Sequence, residues 1–279
     1  MSSAGPLRAA TTLALWAAAW QGGASPDDVL GAIDDSGHRA GVRAATSEIA
    51  DATGLPGPGW PSAGSAALLP VLREGGAAEL LLPYPGDMRG LPLGGELTVA
   101  ALDAGALVVL PASQIALVPS DGQWRAHRCV TRHGALGLGE AHEMLDAAVG
   151  RATRSLTALD VARGSDSARE QVRRVMLDEA VICPPGTPST ASALLATSIS
   201  LHALLAVASS QDTAAVTSYE MAAVDDVLRP LAIAIRESRR AAVAAAVRVL
   251  SVPRAGSVRA TQHRSVSRSR RSAADPGHH

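Results

Sequence analysis

Histidine and acidic residues stand close together at residues 142–146, with a spacing similar to that of a zinc protease. The sequence there is HEMLD, whereas the zinc motif H-E-x-x-H places a second histidine one helical turn after the first. Asp146 takes the place of that histidine, and the neighbouring sequence offers no third ligand. We therefore interpret His142, Glu143 and Asp146 as part of a solvated helix face.

A second group that could bind a metal ion consists of His127, Cys129 and His133. These residues lie at even spacings, so a strand that continued through them would place them on one face. Arg128 and Arg132 stand between them and would oppose the binding of a cation. We interpret the three as ordinary strand residues, and we predict no metal site and no cofactor.

The composition excludes several catalytic classes. The chain contains no Lys, and all 25 basic residues are Arg, so a P-loop, a Schiff-base lysine and a protein-kinase lysine cannot occur in their usual form. His202 lies on an apolar helix face and Cys183 precedes two prolines, so we expect a hydrogen-bonded core histidine and an inert thiol. The glycines between Gly134 and Gly139 lack phosphate-loop spacing, and we interpret them as a hinge. We assign no catalytic residue.

The segment with Tyr84, Asp87 and Arg89 is the best candidate for a ligand site. It offers a phenol, a carboxylate and a guanidinium on a Gly/Pro-rich loop after a predicted strand at residues 79–82. The alternative is a structural loop with an internal contact between Asp87 and Arg89.

Hydrophobic periodicity predicts how the chain is organised around these residues. Helices are predicted at residues 7–20 and after the Ser25 cap, and three strands at 106–110, 114–118 and 123–130 form an antiparallel meander. After Gly134 the pattern changes to long helical stripes at residues 139–163, 167–180 and 190–208, and then to a helix kinked at Pro230. Ser167 and Thr217 are the predicted N-caps of the second and fourth of these helices.

The expected fold is α+β. A mixed helix and antiparallel-strand domain at residues 1–134 packs with a helical bundle at residues 135–250, and a disordered Arg/Ser-rich tail follows at 251–279.

Charge is distributed unevenly along the chain. Residues 238–279 hold nine Arg and one acid, a net charge of +8, whereas residues 1–237 hold 16 Arg and 25 acids, a net charge of −9. A basic tail of this kind can bind nucleic acid only weakly and without sequence preference. We expect a truncation after Val249 to leave the thermal midpoint nearly unchanged.

The cellular setting is indicated by cysteines and apolar runs. The two cysteines are far apart with no CxxC pair, which favours a reducing cytoplasm. The apolar run at residues 9–20 is interrupted by Thr and Trp and lacks a cleavage site, and we expect no membrane span.

Several short strings together resemble one actinobacterial protein family of unknown function. They are LALWAAAW at residues 13–20, SPDDVL at 25–30, PGDMRGLP at 85–92, TALDVAR at 157–163, PPGTP at 184–188 and LRPL at 228–231. The resemblance runs from about residue 7 to about residue 240 and implies no activity.

These observations favour a non-catalytic binding or regulatory protein of the bacterial cytoplasm, with a protein as one possible partner. The first alternative is an enzyme whose site is assembled from scattered Asp, Arg and His residues around the 84–89 loop. The second is weak nucleic-acid binding through the arginine tail.

Purified protein should carry no stoichiometric zinc, because the second histidine of the protease motif is missing and arginines flank the strand group. Elemental analysis of the purified chain measures this directly. One zinc per chain that is lost in His142→Ala or His127→Ala would contradict the interpretation.

Overall fold

A computed structural model describes residues 5–88, 90–92, 94–130, 134–158, 166–211 and 218–253. The helices are α1 Pro6–Gln21, α2 Pro26–Asp35, α3 Ser47–Thr53, α4 Leu68–Glu74, α5 Glu96–Ala104, α6 Leu138–Ala158, α7 Asp166–Asp178, α8 Ser189–Gln211 and α9 Ser218–Leu250, with a 3₁₀ turn at Ser65–Ala67. The strands are β1 Val42–Ala44, β2 Glu79–Leu81, β3 Leu107–Leu110, β4 Ile115–Ser120 and β5 Gln123–Arg128.

The fold is α+β, as predicted. All strands within the described residues precede Gly134, and the described residues after it that belong to regular elements are helical. The predicted meander is confirmed, because β3 pairs antiparallel with β4, and β4 pairs antiparallel with β5. Ser25 caps α2 by accepting a hydrogen bond from the Asp28 amide, and Pro230 lies inside α9 and does not end it.

The sheet is mixed, which corrects the expectation of antiparallel strands alone. Its order is β1-β5-β4-β3-β2, and β1 runs parallel to β5 with Val42 opposite Trp124. Elements β1, α3 and α5 are not predicted from the sequence, since each has nine residues or fewer and shows little periodicity. It also placed the cap of α7 at Ser167, but that helix begins at Asp166; Thr217 lies outside the described residues.

The two faces of the sheet contact different layers. Val108, Leu110 and Leu117 face the main core, which they share with α1 and the C-terminal helices. Alternate residues, Leu107 and Val109 among them, face a smaller cluster under α5. Because the main core includes buried residues from before and after Gly134, it is continuous across the predicted boundary, and the division into domains stays a prediction.

Helix α8 contains a stretch, Ser189–Ser209, that is long and apolar enough to cross a membrane by length and composition, which differs from the expectation of no membrane span. Ala191, Leu194 and Ser198 are buried in the protein, and α8 packs against α7 and α9. Of the most apolar 18 residues of this stretch, 39% are buried in the protein.

The C-terminal end of α9 contacts the end of α1 closely. Leu250 is 5% exposed and belongs to the main core. A Cβ added at Gly22 would lie 2.0 Å from the Leu250 carbonyl oxygen, so only glycine permits this approach. A truncation after Val249 removes this core residue, so we now expect it to destabilise the protein, in contrast to the expectation from the sequence. The tail from residue 254 onward lies outside the described residues.

A truncation after Pro253 should leave the thermal midpoint unchanged, whereas one after Val249 should lower it. Loss of the buried Leu250 side chain should cost about 2 kcal/mol, which corresponds to roughly 4–8 °C for a chain of this size. Differential scanning calorimetry of the two truncations beside the full chain measures the difference. Equal midpoints for both truncations would show that Leu250 contributes nothing to the core.

Candidate functional site

A cleft of about 760 Å³ lies between the loop after β2, the start of α1, and helices α8 and α9. Its volume is within the range of pockets that bind small organic molecules. Its charged and titratable lining residues are Asp87, Glu179, His202, Arg229, Arg236 and Arg239. Two of the three residues predicted as a ligand site, Tyr84 and Asp87, line this cleft, and the third, Arg89, lies outside the described residues.

A tight turn positions Tyr84 and Asp87. The Tyr84 amide donates to the Asp87 carbonyl at 3.1 Å, and the Asp87 amide donates to the Tyr84 carbonyl at 2.8 Å. Pro85 and Gly86 are the two central residues, and Gly86 has a φ of +89°, which a type II turn requires at its third position. The turn therefore fixes the backbones of Tyr84 and Asp87 relative to each other, and Tyr84 remains 54% exposed.

Arg236 of α9 joins this turn to the helical half. Its Nη2 lies 3.6 Å from Asp87 Oδ2, and its guanidinium carbon lies 4.9 Å from the centre of the Tyr84 ring. Arg236 is not among the predicted site residues, because it is far from the loop in sequence. The helical spacing of Arg229, Arg236 and Arg239, by seven and three residues, does indicate that the three lie near one helix face.

A second charged network borders the same cleft and is more deeply buried. Arg239 Nη2 donates to Glu179 Oε2 at 2.9 Å, and His202 Nε2 lies 3.1 Å from Glu179 Oε1. Burial alone would raise the pKa of Glu179, but the hydrogen bond from His202 and the charge of Arg239 together hold it below its usual value. Burial lowers the pKa of Arg239, against the opposing effect of Glu179; an arginine remains charged even so.

His202 differs from the core histidine that we expected. It is hydrogen-bonded, as predicted, but it lines the cleft and its side chain is 35% exposed. With Nε2 directed at the Glu179 carboxylate, a neutral ring carries its proton on Nε2 and leaves Nδ1 as an acceptor. This arrangement orients the imidazole in the way that a carboxylate orients a catalytic base.

The cleft is positively charged although the chain as a whole is not. Three arginines and two carboxylates line it, an excess of one positive charge before any protonation of His202, in a protein of net charge −1. The remaining lining is mainly apolar and includes Leu7, Leu82, Leu205 and Ile233. The arrangement suits a molecule that has both an anionic group and an apolar part.

The other groups considered from the sequence lie away from this cleft. His142 Nε2 is 3.5 Å from Asp146 Oδ2, and both side chains are exposed on α6. His127 and Cys129 are buried on the face of the sheet beneath α5, where burial lowers the pKa of His127 against the charge of Glu96. His133 lies outside the described residues.

No metal-binding arrangement of three or more His, Cys, Asp or Glu residues is found in the described part of the chain. Cys183 is half-buried, and burial raises the pKa of its thiol, which makes it a poor nucleophile.

The fold and the cleft together define an α+β protein with a mixed sheet and an arginine-lined cleft between the sheet half and the helical half. The profile described as "Rv1486c-like protein, N-terminal domain" matches residues 10–136, and the profile for the C-terminal domain of the same proteins matches residues 139–243. The chain therefore belongs to the Rv1486c-like family, which confirms the actinobacterial resemblance.

Relatives occur in several mycobacteria. The protein Rv1486c of Mycobacterium tuberculosis is 30% identical over 277 residues, covering 84% of this chain and 95% of the relative. The protein MAV321 of Mycobacterium avium is 27% identical with the same coverage, and ML1804 of Mycobacterium leprae is 34% identical over 116 residues, covering 36% of this chain and 39% of the relative. All three are named as uncharacterised proteins. No solved structure matches.

The Glu179→Gln variant should have a lower free energy of unfolding at neutral pH than the wild type. Its free energy of unfolding should also change less as the pH falls. Because the pKa of Glu179 lies below its ordinary 4.5, the stability that it contributes is complete above that pH and is lost as the pH falls through the lower folded-state value. At pH 7 the variant should lose about 3 kcal/mol, since Arg239 keeps its charge without an anionic partner.

Thermal midpoints measured from pH 7 to pH 3 test this expectation. Glu170→Gln is the control, because Glu170 is exposed and its pairs with Arg173 and Arg174 lie on the surface of α7. If the thermal midpoint of Glu179→Gln changes with pH in the same way as that of the wild type, the network does not determine the stability in acid.

Proposed function

We propose that this protein is a non-catalytic binding protein of the bacterial cytoplasm, and that its small-molecule ligand occupies the cleft between the Tyr84 turn and helices α8 and α9. The observation that carries the proposal is Arg236. This cation is held between a carboxylate and an aromatic ring at the wall of a cleft of about 760 Å³.

Preorganisation supports a binding role. The Tyr84 turn is closed by two backbone hydrogen bonds, and the guanidinium of Arg239 is fixed by Glu179 at 2.9 Å. Side chains that are already ordered lose little further freedom when a ligand binds, which favours affinity. Polar groups at defined positions within a mostly apolar wall are typical of ligand pockets.

A regulatory role follows from the position of the cleft. Tyr84 and Asp87 belong to the part of the chain matched by the N-terminal profile, whereas Glu179, His202 and Arg236 belong to the part matched by the C-terminal profile. A ligand that contacts both parts stabilises their association by its binding free energy.

The second candidate is an enzyme, and the pairing of His202 with Glu179 favours it. A histidine oriented by a carboxylate at the edge of a cleft can accept a proton from a bound substrate. In this reading Arg236 would hold an anionic group of the substrate.

A thermal-shift screen of the full chain against a library of small metabolites tests the proposal. Ligands should raise the midpoint of the wild type, and the rise should be lost in Arg236→Gln. Arg248→Gln is the matched control, since Arg248 lies on the same helix and is exposed away from the cleft.

The screen also separates the two candidates. Each ligand that stabilises the protein is recovered after prolonged incubation and identified by mass spectrometry. Unchanged ligand supports a binding protein, whereas conversion that is lost in His202→Gln establishes an enzyme. Stabilisation that is equal in the wild type and in Arg236→Gln would overturn the assignment of the cleft.

A further inference from the structure

We infer that the ligand of the cleft is an amphipathic organic carboxylate, with a single negative charge and an apolar body, and that its carboxylate binds Arg236 in place of Asp87. This inference rests on the proposed function and names the chemical class of its ligand.

The geometry of the two arginines shows which of them can exchange partners. Arg239 and Glu179 are separated by 2.9 Å, a full charged hydrogen bond, and the Arg239 side chain is 2% exposed. Arg236 and Asp87 are separated by 3.6 Å, which is longer than a hydrogen bond, and their side chains are 18% and 20% exposed. Of these two arginines, Arg236 is therefore the one that a ligand can reach and bind more closely than Asp87 does.

A carboxylate suits Arg236 because of the way Tyr84 holds the guanidinium. The ring centre lies 4.9 Å from the guanidinium carbon, a distance within the range of cation–π contacts. A guanidinium presents its N–H groups in a planar fork, to which a carboxylate can bind through two parallel hydrogen bonds.

The charges around the cleft limit the ligand to one negative charge. Asp87 and Glu179 both line it and would repel a polyphosphate or a tricarboxylate. A cationic ligand is disfavoured by the excess of arginine over carboxylate.

The remaining side chains of the cleft wall are mainly apolar, and they favour a ligand with an apolar portion. Leu7 of α1, Leu82, Leu205 of α8, and Leu228 and Ile233 of α9 line the cleft around the charged groups. Each apolar group that a ligand buries against them adds affinity in proportion to the area removed from water. Inorganic anions and small hydrophilic acids lack that area.

Isothermal titration calorimetry of the full chain with straight-chain carboxylates of four to ten carbons tests the inference, and the primary amides of equal length serve as neutral comparisons. Affinity should increase with chain length, and each of the longer carboxylates should bind at least tenfold more tightly than its amide. Arg236→Gln should remove the preference for the carboxylate, while Arg248→Gln should retain it.

Asp87→Asn gives a test of opposite sign that does not depend on the stability of the arginine variant. Removing the competing carboxylate should tighten binding of the longer carboxylates severalfold, because Arg236 then loses its resident anion. Weaker binding in Asp87→Asn, equal binding of amides, or inorganic phosphate binding as tightly as the carboxylates would each overturn the inference.

Failure of the inference and failure of the proposed function give different results. The carboxylates could fail to bind while another compound of the metabolite library binds and its effect is lost in Arg236→Gln. The cleft is then a binding site for a different class of ligand, and only the inferred ligand class is wrong. If no compound depends on Arg236, both the ligand class and the proposed function are wrong.

Discussion

The close packing of helix α1 is the constraint on which the other elements depend. Its residues from Ala9 to Ala19 are buried without a break, and six of them are alanines that allow neighbouring backbones to approach. The helix contacts the sheet, α4 and α9 together, and Gly22 lets the end of α9 come to its side. Because α1 sets how far α9 lies from the sheet, it also determines where the arginines of α9 meet the loop after β2.

Three arginines that lie near one another on α9, Arg236, Arg239 and Arg240, contact two different parts of the protein. Arg240 turns toward the sheet, where it donates to the Leu80 carbonyl at 3.2 Å and pairs with Glu237 at 2.9 Å. Arg239 and Arg236 line the cleft. A buried guanidinium that loses its partners costs several kcal/mol, so a rotation or shift of α9 is penalised at Arg240, and the cleft arginines keep their positions.

Long periodic segments could be predicted from the sequence, whereas short elements and the charged pairs could not. The α+β division, the meander and the Ser25 cap follow from local patterns, whereas the sequence predicts the Tyr84 segment only as a Gly/Pro-rich loop. Strand β1 has three residues and exists because β5 is beside it. Arg236 reaches Asp87 across 149 positions of sequence, and a pairing of that kind depends on how α9 packs, which no local pattern contains.

The energetics of the buried charged groups in the cleft wall indicate that they are retained for a function and not for stability. Replacing a buried ion pair by well-packed apolar residues is often neutral or stabilising, by about 1–4 kcal/mol. Leucine and alanine fill most of this protein's interior, and they would also fill the space now occupied by Glu179, His202 and Arg239. A stable fold therefore does not require these charges, whereas a cleft that recognises a charged ligand does. Under the proposed function, the charged network serves ligand binding, and Arg236 is the group at which a ligand and both halves of the protein would meet.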